Sequence, residues 1–202
     1  MTMTTQTSTS AASETPRLSV VVPAYNEEEN IVPLAEEIIA ALGALPGGFE
    51  LILVDDASTD STDRAIMQFK HPGVRGVFHR VNCGQSAAVG SGFQAARGEW
   101  VATLDGDGQN DPADLPAMLE QAVKAGVDCV TGVRRKRQDT FLRRFSSKVA
   151  NGFRNWITGD QVSDSGCGIR VVRRAALREV PVFNGMHRFL PTLLRGQGYT
   201  VN

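Results

Sequence analysis

A chain of 202 residues with 42% hydrophobic and 6% aromatic content has the apolar mass for one full core and not for two of ordinary size. Lys and Arg number 21 against 22 Asp and Glu, a net charge of -1, so the bulk charge gives no footing for a polyanion such as DNA. Cys83, Cys129 and Cys167 are odd in number, far apart and without a C-x-x-C pair, which argues against a disulfide framework or a thiolate zinc site and fits a reducing cytoplasm.

Met1 to Pro16 is nearly all Thr, Ser, Ala and Gln, with neither the basic start nor the apolar run of a secretory signal. Residues 1–16 are therefore expected to be a disordered tail and residues 17–202 a single domain. No run of about 18 apolar residues occurs, so no helical membrane span is expected.

From Leu18 short apolar runs alternate with helical stretches. L-S-V-V-V-P predicts a strand, and Ile31, Leu34, Ile38, Leu42 and Leu45 recur at helical spacing, with Pro33 tolerated in a first turn that starts near Asn30. F-E-L-I-L-V is a second strand, followed by D-D-A-S-T-D-S-T-D as a capped entry to a short helix that Pro72-Gly73 ends. A strand over 74–78, a helix over 85–96 and a strand over 100–104 follow. Asp111 at an N-cap, Pro112 as first helical residue and Gly126 after the last periodic position frame the next helix, and 127–130 gives a fifth strand. Apolar strands joined by crossover helices predict an α/β fold, a mostly parallel sheet with helices on both faces, and ligands at the carboxyl ends of its strands. Past Gly132, Arg134, Arg135, Lys136, Arg137, Arg143, Arg144, Lys148 and Arg154 crowd a stretch holding one acid, Asp139. Leu142, Phe145, Val149, Phe153 and Trp156 run through it at helical spacing, which predicts a basic amphipathic helix suited to a membrane surface or a lipid phosphate.

Three motifs sit where strands end. Asp105-Gly-Asp107-Gly-Gln109 offers two carboxylates and an amide oxygen in a glycine-opened loop, a hard donor set for Mg²⁺ or Mn²⁺ completed by substrate phosphate oxygens. Asp55 and Asp56 end the second strand, where acids accept hydrogen bonds from a base or ribose; Asp56, Ser58 and Asp60 suit a turn and helix cap equally well. Pro23-x-Tyr25-Asn26-Glu27 ends the first strand, Tyr25 suited to stacking on a base and Glu27 to a ribose hydroxyl, or both to a turn entering a helix. His187, alone between Met186 and Arg188, reads first as a structural hydrogen-bonding residue.

Together P-A-Y-N-E, V-D-D-A-S-T-D-S-T and D-G-D-G-Q resemble the family-two inverting glycosyltransferases of the Rossmann-like GT-A fold. N-C-G-Q-S-A-A, Arg134, D-S-G-C-G-I-R and G-M-H-R-F-L-P resemble the dolichol-phosphate mannosyltransferase branch, and the likeness covers nearly everything from Arg17 to Asn202. The resemblance implies a hexosyltransferase that moves a hexose, mannose favoured, from a nucleotide sugar such as GDP-mannose or a UDP-hexose to dolichyl or undecaprenyl phosphate. It would work at the cytoplasmic face of the membrane as a peripheral protein. Pro23, Tyr25, Glu27, Asp55, Asp56 and Asp105 would then hold the nucleotide sugar, and Asp105, Asp107 and Gln109 the metal and the donor diphosphate. Arg134, Arg143 and Ser147 match acceptor-phosphate positions, with Arg144 and Ser146 competing for the last two, and Arg188 matches a position near the reacting phosphates. Asp164 is the carboxylate to test as a base, with a turn role the plainer reading.

Rival expectations are transfer to a glycan hydroxyl, a nucleotidyltransferase and a membrane-associated binding protein that keeps the nucleotide fold. The second is weakened by the acidic, glycine-free P-A-Y-N-E-E loop where such enzymes carry a glycine-rich basic one. The chain stops at G-Y-T-V-N, in what reads as a strand, where relatives of this kind continue, so either a natural short form or a domain incomplete at its C-terminus is expected.

Overall fold

The computed structural model describes residues 15–132 and 168–202. Arg134, Arg143, Ser147, Asp164 and the basic amphipathic helix lie outside these residues, as does the tail up to residue 14. In chain order the elements are β1 (Leu18–Ala24), α1 (Ile31–Leu42), β2 (Phe49–Asp55), α2 (Thr62–Gln68), β3 (Val74–Phe78), α3 (Gln85–Ala95), β4 (Trp100–Thr103), α4 (Asp114–Ala125), β5 (Cys129–Thr131), β6 (Arg170–Arg173), a 3₁₀ turn at Arg174–Leu177 and α5 (Met186–Gly196).

The strands form one sheet in the order β3-β2-β1-β4-β6-β5. β1 pairs in parallel with β2 and β4, and β2 with β3, as the alternation of strand and helix predicts. β1 shows why these strands are apolar throughout. Leu18, Val20 and Val22 pack with Ile31, Ile38, Leu115 and Leu119 of α1 and α4 on one face. Val21 packs with Ala88 of α3 and Met186, Leu190 and Leu194 of α5 on the other. Full burial of each such side chain contributes about 1.5–3 kcal/mol. Gly92 lets α3 settle on the sheet, because a Cβ there would run into the Val21 side chain.

The right-hand part of the sheet departs from the expected pattern. β6 runs antiparallel between β4 and β5, pairing Thr103 with Arg170 and Thr131 with Arg170 from its two sides. The fifth strand begins at Cys129, two residues later than expected, because the Asp128 amide is taken by the Thr200 carbonyl and hydroxyl, both at 3.0 Å. The expected terminal strand is a single parallel bridge, Cys129 to Val201, on the outside of β5. α4 begins at Asp114 rather than Pro112, since Asp111 closes a separate turn by accepting the Ala113 amide at 2.9 Å and the Asp114 amide at 3.2 Å. Gly126 ends the helix in the left-handed conformation, φ 64°, as its place predicts. Among the described residues Cys83 and Cys129 are free thiols, and burial pushes Cys129 up to about 12.

Candidate active site

The antiparallel insertion determines what meets at the carboxyl edge. β6 starts beside the end of β4, where Thr103 Oγ1 donates to the Gly168 carbonyl at 3.1 Å. The Gly132 amide donates to the Ile169 carbonyl at 3.0 Å. Of the two residues that flank the Arg- and Lys-rich stretch, Gly168 thus lies next to Asp105 and Gly132 is tied to Ile169. Gly168 itself lies so close to the Asp105 carboxylate that any side chain at 168 would overlap it.

A cavity of about 480 Å³ opens here, lined by residues that include Pro23, Tyr25, Glu27, Asp56, Gln85, Asp105 and Asp107. That volume is in the range of small-molecule sites. Pro23 ends β1, Asp56 follows β2, and Asp105 and Asp107 follow β4, so three adjacent parallel strands deliver the lining. Gly106 passes close enough to the Pro23 carbonyl that a Cβ would stand 2.9 Å from it, which fits the D-G-D loop over the end of β1.

Tyr25 is exposed at the rim. Glu27 Oε2 accepts from Asn30 Nδ2 at 2.7 Å, and its carbonyl takes the Asn30 and Ile31 amides, so Glu27 organises the entry to α1 while lining the cavity. The β1 and β2 loops are stitched together: Asn26 Oδ1 takes the Thr59 amide at 2.8 Å, Ser58 Oγ takes the Asn26 amide at 2.9 Å, and Thr62 Oγ1 takes the Glu27 amide at 2.8 Å. Asn26 and Ala57, the non-glycine residues at positive φ, sit at 56° and 57° in these two loops.

The adjacent acids differ. Asp56, 3% exposed, accepts the Cys83 and Gly84 amides at 2.9 and 2.7 Å and meets His79 Nδ1 at 2.6 Å, while His79 Nε2 reaches Ser91 Oγ at 2.8 Å. Asp56 thereby holds the 82–85 loop against the sheet, a long-range role outside both sequence readings. Asp55, also 3% exposed, takes the Ser58 amide on Oδ2 at 3.3 Å. Its Oδ1 is buried without a hydrogen-bond partner among the described residues, and Asp55 itself stands outside the cavity lining.

The acids after β4 suit a cation. Asp105 Oδ1 accepts from Gln85 Nε2 at 2.8 Å, and Asp107 is exposed with Oδ1 taking only the Gln109 amide at 3.1 Å. The glycine-only approach at 168 and the hard oxygen set fit a Mg²⁺- or Mn²⁺-type ion at Asp105 and Asp107. Gln109 is exposed and stands outside the cavity lining. Asp56, His79 and Cys83 also bring one ligand atom each within 4.8 Å of one another. The 2.6 Å contact between His79 and Asp56 is a hydrogen-bond length, shorter than the roughly 3.3 Å between two ligands about 2.0 Å from one tetrahedral ion.

α5 begins against α3, outside the cavity lining. Ser86 Oγ meets His187 Nδ1 at 2.8 Å and accepts the Gly185 amide at 3.0 Å. Burial, with Arg188 and Arg170 nearby, holds the His187 ring below its ordinary value and hence neutral, as a hydrogen-bonding residue. Arg188 is exposed on the first turn of α5 and outside the cavity lining. Gln85 and Ser86 stand within the N-C-G-Q-S-A-A motif and Gly168 within D-S-G-C-G-I-R, where motif reading assigns none of them a role of its own, and His79 stands outside the motifs.

Comparison with known proteins places these features. The profile of "Glycosyl transferase family 2" matches residues 19–181. A dodecaprenyl-phosphate galacturonate synthase from Rhizobium johnstonii is 40% identical over 185 residues, covering 89% of this chain and 54% of that protein. An undecaprenyl-phosphate 4-deoxy-4-formamido-L-arabinose transferase from Edwardsiella ictaluri is 35% identical over 179 residues, covering 87% and 55%. The chain spans about half the length of these curated relatives. Among solved structures, a glucosyl-3-phosphoglycerate synthase from Mycobacterium tuberculosis with Mn²⁺, UDP and phosphoglyceric acid gives a TM-score of 0.69 at 25% identity, covering 92% of this chain and 67% of that one. A mannosyltransferase from Pyrobaculum calidifontis with GDP-Man and Mn²⁺ gives 0.69 at 23%, covering 92% and 54%, a likeness of fold.

Proposed function

This chain belongs to glycosyl transferase family 2, and we propose that it transfers a sugar from a nucleotide sugar to a polyprenyl phosphate with inversion at the anomeric carbon. The observation that carries the reading is a nucleotide-sized cavity at the carboxyl ends of β1, β2 and β4, lined by Glu27, Asp56, Asp105 and Asp107. So many acids around a diphosphate are tolerable only with a cation between them.

Asp105 and Asp107 would hold Mg²⁺ or Mn²⁺, with Gln109 brought in from the loop they share. The bound ion supplies neutralisation of the charge that builds on the diphosphate as it leaves. Tyr25 and Glu27 bound the nucleotide end, and the unpartnered Asp55 Oδ1 accepts from the base or ribose. Arg188 stabilises the leaving phosphates. The acceptor needs no strong base, because a phosphate monoester has a second pKa of about 6 and is largely dianionic at neutral pH. Arg134, Arg143 and Ser147, in the stretch that precedes Gly168, position it, and Asp164 is the carboxylate to test as a base. Residues 17–202 act as one catalytic domain.

Relatives named for galacturonate and for formamido-arabinose support the polyprenyl-phosphate acceptor and widen the donor beyond mannose. Among the described residues no helix is long and apolar enough to cross a membrane, which suits a peripheral approach of this part to a lipid phosphate. Incubation with a short polyprenyl phosphate and a set of UDP- and GDP-sugars, a uronic acid among them, tests the reading. A lipid-phosphate sugar with release of a nucleoside diphosphate is expected. Pyrophosphate release from a nucleoside triphosphate would mark a nucleotidyltransferase instead.

A further inference from the structure

The first turn of α5 has little local support. Gly185, at φ 90°, precedes it with no side-chain cap. Pro191 inside the helix lacks the amide that would bond the His187 carbonyl. Arg188 rides on this turn, and its own amide reaches only the Gly185 carbonyl, at 2.9 Å. A guanidinium that must meet developing charge needs a fixed base, and a turn with an uncapped start and a proline within reach gains from an anchor outside the helix.

The support comes from 99 and 101 residues away in sequence. Ser86, 4% exposed, accepts the Gly185 amide at 3.0 Å and meets His187 Nδ1 at 2.8 Å. The residue before it, Gln85, donates to Asp105 at 2.8 Å. Two consecutive side chains at the start of α3 thus reach two separate segments, one the carboxylate loop and the other the arginine-bearing turn. Gly92 seats α3 hard on β1, so this start is a rigid reference point.

We propose that Ser86 is a positioning residue, latching the Gly185–Arg188 turn to α3 so that Arg188 stands in fixed register with Asp105. It touches no substrate; it acts through Arg188. The proposal rests on the reading that Arg188 meets the leaving phosphates.

The test is a double-mutant cycle on the full chain, with Ser86→Ala, Arg188→Ala and the pair, read as kcat and donor KM for polyprenyl-phosphate transfer, plus amide hydrogen exchange across 185–189. Ser86→Ala is expected to lower kcat about tenfold or more, as small misplacements do, with donor KM within about twofold. Exchange at 185–189 should quicken, and Ser86→Thr, which keeps the hydroxyl, should restore both. In the Arg188→Ala background Ser86→Ala should add nothing, since the latch then has no arginine to hold. Multiplicative losses in the pair, an unchanged kcat in Ser86→Ala, or unchanged exchange would each overturn the latch. A wild-type rate untouched by Arg188→Ala would instead defeat the role given to Arg188, with the exchange result still reporting on the latch itself.

Discussion

Gly168 and Asp105 are packed backbone against carboxylate, leaving no volume for a side chain at 168. The contact is made because β6 runs antiparallel to β4 and brings residue 168 level with the end of β4. Gly168→Ala is therefore expected to push the Asp105 carboxylate aside and lower transfer about a hundredfold, the scale of an ångström-sized misplacement. A Mn²⁺ titration of activity should show the half-saturating concentration rising in step.

Asp56 is predicted to matter for folding as well as binding. Asp56→Ala strands the Cys83 and Gly84 amides and one His79 nitrogen. The expected cost is about 2–4 kcal/mol, summed over buried groups left unmade. Urea unfolding checks it, and donor KM should rise because Asn82, Gly84 and Gln85 line the cavity from the loop that Asp56 holds.

Asp55 is expected to behave oppositely. Its Oδ1 has no partner to lose among the described residues, so Asp55→Asn should leave the unfolding midpoint nearly unchanged. If that oxygen accepts from the nucleotide, donor KM rises about tenfold with kcat little altered, the mark of an interaction equal in ground and transition states.

Glu50 and His187 are among the groups that couple stability to pH. Burial alone would raise the Glu50 carboxyl; hydrogen bonds from Ser19, the Arg97 amide, Arg75 and the Arg97 side chain outweigh it and hold the group below 4.5. Its contribution is present above pH 4.5 and is lost as pH falls through the lowered value. His187 is held below 6.5 by burial, Arg188 and Arg170, so the folded state binds fewer protons there than the unfolded one. Stability from His187 is complete above pH 6.5 and declines as pH falls below it. Denaturant melts at pH 7.5, 5.5 and 4 should show both steps, with His187→Gln removing the first and Glu50→Gln the second.

The left part of the sheet was legible because β1, β2 and β4 are continuous apolar runs, and α1 and α4 carry clean helical spacing. β6 was not, since R-V-V-R is four residues with charged ends and follows a long basic stretch that gives no crossover signal. α5 was hidden by Gly185 at its start and Pro191 within it. In the site, Asp105, Asp107 and Asp56 stood out as clustered acids at strand ends, and the structure brings them to one cavity. Ser86 and Gly168 did not stand out, because each acts through a partner 63 to 101 residues away that only the fold brings near. Asp56 shows the middle case: the sequence left nucleotide contact and a local turn open, and the structure has its carboxylate anchor the 82–85 loop while keeping it on the cavity wall.

The central claim is that Asp105 and Asp107 hold a divalent cation that neutralises the departing nucleoside diphosphate. The direct measurement is nucleoside diphosphate release from the active nucleotide sugar with a short polyprenyl phosphate, in Mn²⁺, in EDTA, and in Mn²⁺ with Asp107→Ala. Release that requires Mn²⁺, stops in EDTA, returns on Mn²⁺ addition and falls at least a hundredfold in Asp107→Ala is the expected result. Undiminished release in EDTA, or from Asp107→Ala, would contradict it.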